Sequence, residues 1–389
     1  MQTMRIAMYT DSFYPFIGGV STAIFNLSQI LAQQGHEIFI QSPRYPTEAN
    51  LKGLPSNVQV HYVNSMKVYM YPDFRIGTGL PLSLKAIREF DPDVIHIHTP
   101  LSIGIEGTLI AKALRVPTVH TFHTYFMDED ALRLVGFNNK HILPLIKQGG
   151  WRFNAAFCNR FNSIIAPSEA VAKDLLSHGV NKPVYVAPNM LDVSIYCPKK
   201  GRKKKLTKLL FVGRLSIEKR VDLTIRTLAT LLEQDPDYEL ILIGDGPDRN
   251  ALFDLSVKLG VASHITWYGA IEHQKLIHNH IFHEGDVFIV SSKFETQGLS
   301  TLEAMAHGLP VIAVSSETNK EVIGKGGISV KDTGDADKTV QLLAKAVLKM
   351  NSQSDVPYPQ LAYQEALKYS PDALLDTYQT IYQKTKDSE

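Results

Sequence analysis

The sequence predicts an α/β protein built from two doubly wound, Rossmann-like domains. Three observations carry that expectation. Short β-rich runs alternate with helical runs, and the alternation occurs twice along the chain. The short runs are apolar throughout, as strands of a parallel sheet covered on both faces must be. The length, 389 residues, exceeds what one hydrophobic core usually organises. Two such domains imply a cleft, and ligands of open parallel sheets lie beyond the carboxyl ends of the strands. The loops that follow strands are therefore where function is sought.

In the first half the order is RIAMYT, the helical GVSTAIFNLSQILAQQG, EIFIQS, DVIHIH, the helical GIEGTLIAKAL, PTVHTFH, NSIIAPS and the helical EAVAKDLLSHG. The second half runs KLLFVG, KRVDLTIRTLATLLEQ, YELILIG, DRNALFDLSVKLG, HITWYG, DVFIVSS, LSTLEAMAHG and PVIAVSS. Between the halves stands PKKGRKKKLTK, where residues 199–208 hold seven basic side chains and no acidic one. This run reads as a solvated connector, or as a patch that touches anionic lipid. The expected organisation is a first domain over 1–195, a basic linker over 196–208 and a second domain over 209–368. A C-terminal helix over 369–389 returns to the first domain.

Composition excludes several classes. A formal net charge of +1 with 20% charged residues carries no global nucleic-acid signature. Cys158 and Cys197 fit no CxxC metal or redox pattern, which suits a reducing compartment. The start, MQTMRIAMYTD, lacks the apolar stretch of a secretory signal, and no segment nears the roughly 18 apolar residues that span a bilayer. A cytoplasmic protein, peripheral at the inner face of the cell membrane, is the expectation. No strand is followed by GxGxxG with an acidic residue about 20 positions on, which argues against a nicotinamide dehydrogenase.

The strand-following loops supply the candidate residues. Gly18 and Gly19 open a helix whose free N–H groups suit a phosphate, a tight turn being the plain alternative. His96 and His98 end one strand, and His120 and His123 another. Without an adjacent carboxylate or cysteine these read as structural and not as a zinc site. His120 reads as a satisfied core histidine and His123 as the one facing the ligand. Gly213, Arg214 and Lys219 put two cations around a glycine-led loop, as a diphosphate requires, with surface ion pairing as the alternative. Gly244, Asp245 and Gly246 read as a tight turn bordering the ligand. In FETQGLSTLEAMAHG, Glu295 precedes the glycine-led helix start at Gly298 and Glu303 lies within the helix. Carboxylates so placed can grip two parts of one polyhydroxylated ligand.

These segments, in this order, resemble glycosyltransferase family 4, of GT-B architecture: YTDSFYPFIGGV, GHEI, DVIHIHTP, HTFHTY, APSEAV, FVGRLSIEKRVD, LIGDGPD and FETQGLSTLEAMAHGLPVIA. The resemblance implies two Rossmann-like domains facing across a cleft and transfer of a hexose from a nucleotide diphosphate sugar with retention at the anomeric carbon. It assigns Arg214 and Lys219 to the donor diphosphate and Glu303 to the ribose hydroxyls. Glu295 contacts the transferred sugar, with Gln297, Gly298 and Leu299 lending backbone groups. Gly18 and Gly19 approach the donor phosphate, and His123 borders the reacting centre. Met190 departs from the family, which commonly has glycine after Asn189. The form ETQG is similar to the branch that glucosylates diacylglycerol in bacteria, where related members more often read EPFG. No cofactor or metal is required on this reading; the donor is UDP-glucose, and a divalent cation acts at most as a stimulant.

The acceptor is expected on the first domain. There MKVYMYPDFRIGTGLPLSLKAIREF sets Met66, Tyr69, Met70, Tyr71, Phe74 and Ile76 beside Lys67, Arg75, Lys85 and Arg88, and KHILPLIKQGGWRFNAAFCNR adds Trp151. Apolar groups beside cations suit an anionic membrane surface and a lipid acceptor, and core packing serves as well. A soluble or cell-wall acceptor, or a scaffold that binds the nucleotide sugar without catalysis, are the other readings.

Overall fold

A computed structural model describes residues 3–16, 18–68, 71–124, 143–199, 205–278, 280–293 and 295–388. The chain divides into two compact units, Met1–Met190 with Pro371–Glu389, and Leu191–Ser370.

The first unit holds strands β1 (Arg5–Tyr9), β2 (Glu37–Pro43), β3 (Val58–Val63), β4 (Ser65–Val68), β5 (Tyr71–Gly77), β6 (Val94–Ile97), β7 (Thr118–Thr121), β8 (Ser163–Ala166) and β9 (Val184–Val186). Its helices are α1 (Gly19–Gln33), α2 (Leu82–Phe90), α3 (Ser102–Leu114), α4 (Leu143–Cys158) and α5 (Glu169–Ser177). Seven strands form a parallel sheet in the order β3-β2-β1-β6-β7-β8-β9, while β4 and β5 pair antiparallel by themselves. The central β1 is hydrogen-bonded on both sides, Ile6 aligning with Ile38 and with Val94, and Ile6 to Tyr9 are fully buried. On α1, Ile24, Leu27 and Leu31 recur at helical spacing and pack into the same core.

The second unit carries β10 (Lys208–Val212), β11 (Glu239–Ile243), β12 (Ile265–Gly269), β13 (Val287–Val290), β14 (Val311–Val314) and β15 (Gly327–Val330). Its helices are α6 (Val221–Leu232), α7 (Arg249–Lys258), α8 (His273–His278), α9 (Leu299–Ala306), α10 (Glu317–Ile323), α11 (Ala336–Ser352) and α12 (Tyr358–Leu367). The parallel sheet runs β12-β11-β10-β13-β14-β15, so chain order reverses between β10 and β13. At such a reversal the loops leaving the two neighbouring strands diverge to opposite faces and open a crevice.

The last helix, α13 (Pro371–Lys386), belongs to the first unit. Tyr378 hydroxyl bonds the carbonyls of Ala187 and Pro188, each at 3.2 Å, and Lys386 pairs with Asp93 at 2.7 Å. The unit boundary differs from the expected one: it falls after Met190, not at 195, and the described residues of the 196–208 stretch are part of the second unit. The physical reason is a buried acceptor. Asp286 takes the Lys199 ammonium at 3.3 Å, and that ammonium also bonds the carbonyls of His283 at 3.0 Å and Gly285 at 2.9 Å. Lys205 pairs with Asp235. Residues 200–204, the centre of the basic run, lie outside the described residues.

Candidate active site

In the second unit β10 and β13 are neighbours, so the loop bearing Arg214 and Lys219 and the loop bearing Glu295 and Gly298 leave the sheet side by side. The first loop is locked to its neighbour from β11. Gly213 N–H bonds Ile243 carbonyl at 2.9 Å, Leu215 N–H bonds Asp245 carbonyl at 3.0 Å, and Asp248 N–H bonds Leu215 carbonyl at 3.0 Å. Gly244 adopts φ 134°, and a Cβ there would lie 1.8 Å from the Gly213 carbonyl oxygen. Only glycine permits this approach. Arg214, half-buried, is thereby held between two anchored residues.

Lys219 ends a single 3-10 turn, Ile217–Lys219, and its ammonium meets Glu295 Oε1 at 2.6 Å. The side chains are 27% and 14% exposed, so the pair is only partly solvated. Two serines at the end of β13 hold it from both sides: Ser291 Oγ donates to the Lys219 carbonyl at 2.7 Å, and Ser292 Oγ to Glu295 Oε1 at 2.6 Å. Burial works against the charged form of Lys219, and the Glu295 carboxylate, with a smaller contribution from Glu218, more than offsets it. The ammonium is held above its ordinary range. Phe294, between these loops' residues, lies outside the described residues.

Gly298 caps α9 with φ 81°, the left-handed region, and an added Cβ would sit 3.2 Å from Thr301 Oγ1. Gln297 is buried and Leu299 half-buried at the first turn. The start of α9 therefore presents unsatisfied N–H groups and the positive end of the helix dipole beside the Lys219–Glu295 pair. Glu303, one turn on, is buried and has a partner from another element: His273 Nε2, at the start of α8, lies 2.5 Å from Glu303 Oε1. Desolvation lowers the His273 value, and the Glu303 charge and hydrogen bond raise it further than desolvation depresses it. Each of the two glutamates thus has its own basic neighbour, Lys219 for Glu295 and His273 for Glu303.

In the first unit, the ends of β1, β6 and β7 are adjacent. Gly18 caps α1 with extended backbone, φ −173°, so its conformation is open to any residue; a Cβ would instead press on the Phe16 ring at 3.0 Å. Gly19 is exposed, and a Cβ there would meet nothing within 4 Å. His120 is the satisfied core histidine that the sequence suggested. His120 is buried, its Nδ1 2.9 Å from the Ile97 carbonyl and its ring stacked on Phe161. His123 is half-buried, and its Nε2 lies 2.9 Å from Nδ1 of His98. Burial, then the nearby His120, pushes His123 down to about 3, so the ring is neutral at pH 7.

Sequence reasoning missed four supporting residues. Asp11, fully buried, accepts from Thr99 Oγ1 and Ser102 Oγ at 2.6 Å, Ile103 N–H at 2.8 Å and Gly104 N–H at 3.3 Å. Burial pushes its carboxyl up, and those four donors pull it down. It ties the end of β1 to the start of α3. Ser291, Ser292 and His273 are the others. The paired serines after an apolar strand were a visible signal; His273 had none, because its partner lies 30 residues away.

The Glycosyltransferase Family 4 model matches residues 17–195, and the Glycosyl transferases group 1 model matches residues 194–356. The chain is 28% identical over 325 residues to an alpha-monoglucosyldiacylglycerol synthase of Streptococcus pneumoniae, spanning 80% of this chain and 71% of that protein. It is similarly 28% identical to a GDP-mannose-dependent alpha-mannosyltransferase of Mycolicibacterium smegmatis, with 82% of each covered. Among solved structures, Anabaena Alr3699/HepE in complex with UDP and glucose superposes with a TM-score of 0.73 at 17% identity, covering 98% of this chain and 100% of that one. Sucrose-phosphate synthase from Thermosynechococcus elongatus gives 0.75 at 17% identity, covering 99% and 100%. Two parallel, doubly wound units and two successive family matches make this chain a glycosyltransferase of the GT-B fold, belonging to the family in which a Glycosyltransferase Family 4 domain precedes a Glycosyl transferases group 1 domain.

Proposed function

We propose that this protein transfers glucose from UDP-glucose to diacylglycerol at a membrane surface, with retention at the anomeric carbon. The observation that carries the donor half is the Lys219–Glu295 pair, pinned by Ser291 and Ser292 beside the start of α9. An ammonium has three N–H donors, and one is used by Glu295. The others, with Arg214 and the α9 amides, suit the two phosphates of a nucleotide diphosphate. Glu303 takes the ribose hydroxyls, and Glu295 and the backbone of Gln297, Gly298 and Leu299 take the sugar.

In the reaction the acceptor hydroxyl oxygen bonds to the anomeric carbon on the face from which the diphosphate leaves. The bond from that carbon to the phosphate oxygen breaks, its electron pair stays with the phosphate, and the acceptor proton moves to a phosphate oxygen. Arg214 and Lys219 stabilise the charge that accumulates there, which is where preorganised cations contribute most. Glu295 lies close to the positive character that develops on the sugar. Gly18 and Gly19 keep side chains away from the start of α1, whose amides suit an anion.

The acceptor half rests on the first unit's surface and on the glucolipid-forming relatives. Met66 and Leu82 are each 74% exposed, with Ile76 and Leu80 also exposed, beside exposed Lys67, Lys85 and Arg88. On α4, Leu145 and Phe153 are exposed while Phe157 and Cys158 are buried. Apolar side chains among cations fit an interfacial surface on an anionic leaflet. No described helix is long and apolar enough to cross a membrane. Tyr69 and Met70 lie outside the described residues. Mannosyltransferase relatives favour a second donor reading, GDP-mannose.

The test is incubation with radiolabelled UDP-glucose or GDP-mannose, with and without diacylglycerol vesicles. Label from UDP-glucose should enter the organic phase only when diacylglycerol is present, as an α-glucoside. Label in a water-soluble product, or hydrolysis alone, rejects the lipid acceptor. Label from GDP-mannose alone rejects the donor. Sedimentation with anionic vesicles should be strong at low salt and released as salt rises.

A further inference from the structure

The second unit holds a histidine triad that the glycosyl-transfer reading does not use. His280 caps the 3-10 turn Ile281–Glu284 and His283 lies within it, where residues three apart eclipse. Their rings stack, with centroids 5.2 Å apart and planes at 12°. His307, just past the end of α9, meets His283 edge-on at 5.1 Å and 87°. One ring nitrogen from each of the three residues lies within 4.8 Å of the others.

The Cys197 carbonyl settles the tautomers. It lies 2.6 Å from His283 Nε2 and 3.3 Å from His307 Nδ1. A carbonyl has no proton to give, so both nitrogens carry the hydrogen. The lone pairs are then on His283 Nδ1 and His307 Nε2. His307 is fully buried and its Nε2 has no hydrogen-bond partner. Buried polar atoms are normally satisfied, so a bare one asks for a ligand. A ring whose outer N–H is held by a backbone carbonyl while its other nitrogen stands bare is how metal-binding histidines are oriented. His280 is exposed, His283 half-buried and His307 buried.

We propose that His280, His283 and His307 form a binding site for one divalent transition-metal ion of the Zn²⁺ class, with a fourth position left to water. Three imidazoles and an open position are a familiar set for this ion, whose bonds of about 2.1 Å would bring the nitrogens to about 3.4 Å apart. Binding at that spacing requires rotation of exposed His280 and a small shift of the turn. The ion joins the 281–284 turn to the end of α9, the helix that begins at Gly298 and carries Glu303; His307 N–H bonds the Glu303 carbonyl at 3.1 Å.

The test uses the full chain, stripped with chelator and free of nucleotide, so that its outcome is independent of sugar transfer. Calorimetric titration with ZnCl₂ should give one site per chain, and Co²⁺ should develop the intense visible bands of a tetrahedral site. Zn²⁺ should raise the thermal midpoint of the parent. His280→Asn, which keeps a residue that tolerates the left-handed φ of 51° at this exposed cap, should weaken affinity more than about a hundredfold and abolish the Co²⁺ bands. His283→Ala should do the same. Absence of binding below millimolar Zn²⁺, or unchanged binding in both variants, overturns the proposal; the second result would move the ion elsewhere, such as to His98 and His123.

Discussion

Replacing Lys219 by alanine tests the donor site most directly. The ammonium sits 2.6 Å from Glu295 Oε1, and the two side chains are 27% and 14% exposed. Removing one partner of a fully buried pair costs about 3–5 kcal/mol. Here Glu295 keeps the Ser292 hydroxyl at 2.6 Å and some water, so the expected loss of stability is smaller, about 1–3 kcal/mol. The effect on turnover is larger relative to what remains, because the lost charge faces the phosphate where negative charge accumulates. Deleting one preorganised donor to a developing anion costs about 2.7–4 kcal/mol, a factor of about 10²–10³ in kcat. Single-turnover transfer from saturating radiolabelled UDP-glucose measures this, with thermal unfolding as the folding control. Lys219→Gln, which keeps a hydrogen-bonding side chain of similar length, guards against loss of the fold. Turnover within threefold of the parent in a folded variant would show that Lys219 does not stabilise the leaving group.

Other consequences follow from the same structure. Asp11→Ala strands four donors at the start of α3 and should cost about 2–4 kcal/mol in denaturant unfolding; an unchanged midpoint refutes the capping role. Gly298→Ala forces a Cβ into φ 81° and should cost about 1–2 kcal/mol and weaken UDP binding by calorimetry, whereas a neutral substitution would mean the helix start relaxes freely. The His273–Glu303 pair makes stability depend on pH. His273 is raised on folding, so its contribution is complete below the unfolded value of about 6.5 and is lost as pH rises through the higher folded value. The stability difference between the parent and His273→Gln should therefore shrink from pH 6 towards alkaline pH; a difference that grows with pH contradicts the pairing.

Much of the architecture was legible because period and composition are local properties. Runs such as KLLFV and VFIV are apolar at every position, which only a strand covered on both faces requires, and their alternation with helical spacing specifies doubly wound sheets. Gly213, Gly244 and Gly298 marked the loops correctly, since close approach and positive φ exclude side chains at Gly244 and Gly298. The family order of motifs pointed to the residues that the second unit gathers around α9.

What the sequence could not contain was the choice of partners. Glu295 and Lys219 are 76 positions apart and meet because β10 and β13 are neighbours across a reversal of strand order. Glu303 reads as a ligand-gripping carboxylate, but nothing in its own segment names the His273 that α8 delivers to it. The basic run reads as a free linker until Asp286 captures Lys199. The Cys197 carbonyl meets His283, 86 residues on, and His307, 110 residues on. Strand and helix periods follow from each segment's own side chains, whereas these contacts depend on which loops emerge together from a folded sheet, and that is decided only when the cores close.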